Sequence, residues 1–173
     1  MSEVLQRLQG GDRRSIGRAD EVVQDVLRDP ALFDEVFRGM LSDDPLVRMR
    51  CADVVEKVTT TRPELLPPYK QPLLEQVAGI GQQEVRWHVA QMLPRLELSQ
   101  EERALAIGIL LGYLQDKSRI VKTFAMQALA DLAEGDENLR SQVVPWLEQF
   151  TATGSPAMQS RGRKLLSKLR RQA

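Results

Sequence analysis

The sequence predicts an all-α protein built as an array of repeated helix pairs, and three observations carry that prediction. First, a turn leading into a helix recurs, as Asp44-Pro45-Leu46-Val47-Arg48, Glu84-Val85-Arg86, Ser118-Arg119-Ile120-Val121-Lys122 and, degenerately, Pro156-Ala157-Met158-Gln159. The leading apolar residues Val47, Val85, Val121 and Met158 lie 38, 36 and 37 residues apart. A fixed period of this length that carries helical spacing marks a helical repeat array. Second, apolar residues recur at three- and four-residue intervals throughout, with no alternating run that reads as a strand. Third, aromatics make up 5% of the chain against 42% apolar residues, as expected when cores are built from Leu, Val and Ala on packed helices.

The totals bound the function. At 173 residues, one domain spanning 1–173 is expected. Cys51 is the single cysteine and His88 the single histidine, which excludes an internal disulfide, a cysteine metal cluster and any site with two His ligands. No metal and no cofactor are expected. The amino terminus has no apolar run like a signal peptide and no stretch reaches the length of a membrane span, so a cytoplasmic protein without a membrane partner is predicted. Net charge is zero but uneven. From 156 to 173 there are six basic residues (Arg161, Arg163, Lys164, Lys168, Arg170, Arg171) and no acid, which leaves −6 for the remainder. Such a segment can attract nucleic acid or acidic lipid. It also reads as a solvated last helix whose cations favour the negative end of its dipole.

The elements follow in order, as pairs over 1–28, 29–60, 64–97, 99–133 and 137–170. In the atypical first pair, Val4, Leu5 and Leu8 form a short apolar face closed by Gly10-Gly11, and Ile16, Ala19, Val23, Val26 and Leu27 continue at helical spacing. Asp29-Pro30 reads as an N-cap with proline at the first helical position. The helix it starts buries Leu32, Phe33, Val36, Phe37, Met40 and Leu41. Ser42 to Pro45 is a turn, and the next helix buries Val47, Cys51, Val54, Val55 and Val58. The proline-rich stretch from Thr59 to Pro68 is an ordered corner, because the period continues across it. Tyr69, Leu73, Leu74, Val77 and Ile80 mark the following helix, which Pro72 bends or deprives of a hydrogen bond. Pro94 bends or ends the Val85 helix. Ser99-Gln100-Glu101-Glu102 matches a capping box, and its helix turns Leu105, Ile109, Leu110, Tyr113 and Leu114 inward. Gly108 and Gly112 sit one turn apart, where glycine weakens a helix, so a close backbone neighbour is expected there. The last first-helix buries Leu139, Val143, Trp146, Leu147 and Phe150, with a kink at Pro145.

These residues resemble the HEAT-repeat family. The likeness rests on Asp116 with Val121-Lys122, Asp43 or Asp44 with Val47-Arg48, Val85-Arg86, and Pro145 in a first helix. It covers residues 30–170 well and the first thirty poorly, and it departs at Gln82-Gln83-Glu84 and at Met158-Gln159. The resemblance implies a right-handed α-α superhelix, a solenoid of about five antiparallel pairs, with second helices on the concave side. It also implies a binding scaffold rather than an activity.

A wheel at roughly 100° per residue separates buried from free positions on the second helices. Opposite the apolar arcs it places Met49, Asp53 and Glu56, then Trp87 and Gln91, then Thr123 and Gln127, then Ser160 and Lys164. If the pairs stack, these residues form one concave track that grips a protein or peptide partner, with Trp87 as its anchor. Trp87 folded over an adjacent helix is the plainer alternative. Arg48, Arg86 and Lys122 read either as a basic ladder for phosphate or, as the resemblance implies, as partners of turn aspartates of the same or next pair, and Arg50, His88, Phe124 and Arg161 share the register where pairs touch, which makes Phe124 core. There is no Gly-rich phosphate loop, Ser/His/Asp set or HExxH sequence, so no catalytic residue is assigned and a non-enzymatic adaptor, monomeric, is expected. The alternative is a nucleic-acid-binding protein like the HEAT-like DNA-alkylation-repair glycosylases, using Arg161, Arg163, Lys164, Lys168, Arg170 and Arg171. A HEAT-type chromophore lyase would want an accessible thiol, and Cys51 falls in a buried arc.

Overall fold

A computed structural model of the protein describes residues 3–171, and every regular element among them is helical. The chain divides into two compact units, Met1–Glu97 and Leu98–Ala173. Among the described residues, no helix is long and apolar enough to cross a membrane.

The first unit holds α1 (Glu3–Gln6), α2 (Ala19–Arg28), α3 (Phe33–Gly39), α4 (Pro45–Thr61), α5 (Lys70–Glu75) and α6 (Gln83–Met92). Helix α4 is its axis. Asp44 caps it by accepting from Leu46 N at 2.8 Å, and Pro45 occupies the first position, where its missing N–H costs nothing. Val47, Cys51, Val54, Val55 and Val58 are all fully buried, as the periodicity requires. Because α4 packs against α2, α3 and α6 at once, its burial extends well beyond one stripe. Met49, expected to point outward, is 7% exposed. A helix with three neighbours has no full outward line.

Asp29 caps a 3₁₀ turn at Pro30–Leu32 that runs into α3. There Phe33, Val36, Phe37 and Met40 are buried, but Leu41 lies past the helix end and stays 41% exposed. Thr59–Pro68 is ordered, as α4 followed by 3₁₀ turns at Pro63–Leu65 and Pro67–Tyr69. Pro72 falls in the first turn of the short α5, where backbone N–H groups have no intrahelical partner, so it neither breaks nor bends anything. Val85, Val89, Met92, Leu93 and Leu96 are buried, and Pro94 ends α6 in a 3₁₀ turn.

The amino-terminal pair departs most from expectation. Helix α2 begins at Ala19, and Ile16 lies outside it, 42% exposed. The connection before it is held by Arg50, reaching up from α4 and only 1% exposed. Its guanidinium donates to the carbonyls of Leu8 (2.8 Å), Gly10 (2.6 Å), Asp12 (3.3 Å) and Ser15 (3.2 Å). The rigid fork of five N–H donors suits such a set of backbone oxygens. Gly17, at φ +57°, lies so close that a Cβ there would come within 3.0 Å of the guanidinium carbon.

The second unit holds α7 (Gln100–Tyr113), α8 (Arg119–Leu132), α9 (Glu137–Thr153) and α10 (Pro156–Arg170). Both bonds of the expected capping box start α7: Ser99 N donates to Glu102 Oε2 (2.8 Å) and Glu102 N to Ser99 Oγ (3.2 Å). Ala106, Leu110, Tyr113 and Leu114 face the core, whereas Leu105 is 46% exposed and Ile109 half-buried. Among the described residues nothing beyond the helix's own backbone lies within 4 Å of a Cβ built on Gly108 or Gly112, which overturns the expected close contact. In α9, Leu139, Val143 and Leu147 are buried, Trp146 and Phe150 half-buried, and the helix continues past Pro145 to Thr153. Helix α10 packs on α8 and α9 with Met158, Leu165, Leu166 and Leu169. Its Gly162 lies so close to α9 that a Cβ would overlap Thr151 Oγ1. Phe124, expected in the core, is half-buried.

Candidate functional site

In the first unit the candidate residues lie on α4 and α6, which pack side by side. Asp53 is half-buried and its Oδ2 lies 2.8 Å from Lys57 Nζ, one turn on. The same ammonium reaches Asp20 Oδ1 on α2 at 2.8 Å. Burial works against the Lys57 charge, but hydrogen bonds to the two carboxylates outweigh it and raise its pKa. Glu56 is ion-paired with Arg95, which also donates to the Glu56 carbonyl (2.7 Å) and to Thr59 Oγ1 (2.8 Å). Glu56 is therefore tied to the turn after α6, whereas Asp53 is ion-paired within its own helix and reaches α2 only through Lys57.

His88 sits beside them, 9% exposed. Its Nε2 is 3.9 Å from Asp53 Oδ1, too long for a hydrogen bond, and its buried Nδ1 has no partner. Burial lowers its pKa, against the pull of Asp53 and Glu56, so at neutral pH the ring is uncharged. Trp87 is half-buried, with its ring centroid 5.7 Å from that of His88. Gln91 donates back to the Trp87 carbonyl at 3.1 Å. The Cys51 thiol is buried and its pKa is pushed far up by desolvation, so it holds back the thiolate that would make it a nucleophile. Among the described residues no group of three or more His, Cys, Asp or Glu side chains is placed to hold a metal ion.

In the second unit, Thr123 Oγ1 donates to its own helix at Arg119 O (2.8 Å). Gln127 is the middle of a chain: Arg161 Nη1 donates to its Oε1 (2.7 Å) and its Nε2 donates to Asp131 Oδ1 (2.8 Å). Burial raises the Asp131 pKa. Ser160 and Lys164 are exposed. Of the basic residues on and after α10, Lys168 pairs with Glu134 and Arg170 with Glu148, while Arg163, Lys164 and Arg171 are exposed.

Arg48 meets its turn at backbone carbonyls, that of Asp43 among them, rather than at an aspartate side chain. Arg48 donates to the carbonyls of Ser42 (2.7 Å) and Asp43 (3.2 Å) and to Gln82 Oε1 (3.0 Å), and Arg86 to the Ile80 carbonyl (3.0 Å). Lys122 instead lines an open cavity of ≈ 370 Å³ with Arg119, Phe150 and the Gly154–Met158 turn. Sequence reasoning missed the cavity, because its walls come from the start of α8, the end of α9 and the turn after it.

Comparison with protein-family models, with curated proteins and with solved structures returned no match to this chain.

Proposed function

We propose that the protein is a non-enzymatic, HEAT-like helical-repeat module that binds a protein partner on the second helices of its pairs. The pairs would stack as a right-handed solenoid, and the α4–α6 surface would be the primary contact, with Trp87 as anchor and Gln91 beside it. What carries this reading is the bracing around Trp87. A large amphipathic ring is left partly exposed on a surface whose acids Asp53 and Glu56 are already ion-paired, so little side-chain entropy remains to be lost there on docking. The nucleic-acid reading is supported less, because Arg161, Lys168 and Arg170 of its six cations are already engaged within the unit.

The test is affinity capture with the wild-type chain and with a Trp87→Ala, Gln91→Ala double variant of unchanged thermal stability. A partner retained by the wild type and lost by the variant supports the proposal; one retained equally by both moves the interface elsewhere. A gel shift with duplex DNA at two salt concentrations separates the alternative. Weak binding that disappears at higher salt is expected from a few free cations, whereas tight, salt-resistant binding would reverse the ranking.

A further inference from the structure

We propose that the open cavity between the start of α8 and the start of α10 is a phosphate-binding site, with Lys122 and Arg119 as its cations. Two places that the repeat makes equivalent differ here. Asp44, Gln82, Ser118 and Ser155 each stand immediately before their helix, in the same register to Val47, Val85, Val121 and Met158. In the first unit the gap between successive helix starts is filled from within: Gln82 donates to the Pro45 carbonyl (2.9 Å) and accepts from Arg48 Nε (3.0 Å). In the second unit Arg119 takes the place of Pro45, Lys122 that of Arg48, and Ser155 that of Gln82. Ser155 is a shorter side chain, and its Oγ already accepts from Met158 N (3.4 Å). These same three residues line an open cavity of ≈ 370 Å³. The ladder that a carboxamide oxygen closes in one unit therefore stands open in the other.

The charge around that opening is uncompensated. No carboxylate lines the cavity, and among the described residues neither Arg119 nor Lys122 forms an ion pair or a side-chain hydrogen bond. By contrast Lys168 and Arg170 of the same unit each have an acid. Both α8 and α10 begin at the cavity, so the positive ends of two dipoles add to the field of the side chains. A guanidinium fork and an ammonium together match a dianion with several acceptor oxygens, whereas a carboxylate would leave one cation unneutralised. The ligand class is thus a phosphate, free or as a monoester. The volume lies within the range of small-molecule sites, and Phe150 offers a monoester's organic part an apolar wall. This site and the Trp87 surface are in different units, and each stands without the other.

Amide shifts of the isotope-labelled full chain, titrated with inorganic phosphate at constant ionic strength and about pH 7.5, test the proposal. Saturable shifts are expected at residues 119–122 and 155–158. Lys122→Gln should weaken binding about 10-fold. Lys117→Gln, which removes the same charge from the turn outside the cavity, should change it less than about 2-fold. Ser155→Gln restores the carboxamide of the first unit and should weaken binding as much as Lys122→Gln does, with both cations still present. Acetate should bind about 10-fold more weakly than phosphate. Phenyl phosphate binding more tightly than inorganic phosphate assigns the site to a monoester, and equal affinity assigns it to the free ion. Shifts that never saturate, acetate binding as tightly as phosphate, or affinity indifferent to Lys122→Gln would overturn the proposal.

Discussion

In the first unit the acids that face away from the α4 core meet a cation: Asp53 meets Lys57, and Glu56 meets Arg95. In the second unit the residues at corresponding places on α10, Ser160 and Lys164, stand in solvent, and α7 leaves an apolar face bare. The glycines differ likewise. Gly162 is fixed by Thr151 against it, whereas Gly108 and Gly112 have open space. Register along a helix thus says which residues share a side, but the number of neighbouring helices decides what that side meets.

The comparison breaks most readily at Arg50. Replacing it by Met leaves the carbonyls of Leu8, Gly10, Asp12 and Ser15 without their donor, and the expected loss is about 3 kcal/mol in urea unfolding. Proteolysis should then cut within residues 9–17 before the rest of the chain. Gly162→Ala comes next. Its methyl must displace Thr151, at an expected cost of about 2 kcal/mol by overpacking. Arg95→Ala sharpens the picture of a braced surface. Its ion pair with Glu56 is largely shielded from solvent, and about 1 kcal/mol of stability is expected to go with it.

The smallest effect is a pH dependence specific to the first unit. A His whose folded pKa is lowered binds fewer protons folded than unfolded, so it contributes no penalty above the ordinary value near 6.5 and an increasing one below it. Thermal stability should fall as pH is lowered from 7.5 to about 5.5, and His88→Gln should flatten that part of the curve. Carboxylates such as Asp25, held low by Arg7 and Arg28, lose their contribution only at more acid pH.

Much of this was readable from residue order. The valine spacing in α4, the caps at Asp29 and Ser99, and the terminating role of Pro94 are local properties, set by dihedral preference and period. What the sequence hid is non-local. Register places Arg50 where pairs touch, and it is buried there, but the four carbonyls it gathers lie 35 to 42 residues away and leave no local signal. Met49 escapes a wheel because a wheel assumes one buried side and α4 has neighbours on three. Leu105 shows that an apolar residue on a helix need not be an inward one. Trp87 fell between its two expected positions, neither free nor covered.

The central claim is that Trp87 is the anchor of a partner-binding surface. The direct test is acrylamide quenching of Trp87 fluorescence in a Trp146→Phe background, measured before and after adding the captured partner. The account predicts a ring partly quenchable in the free protein and shielded in the complex. Quenching unchanged by a saturating amount of partner would contradict it.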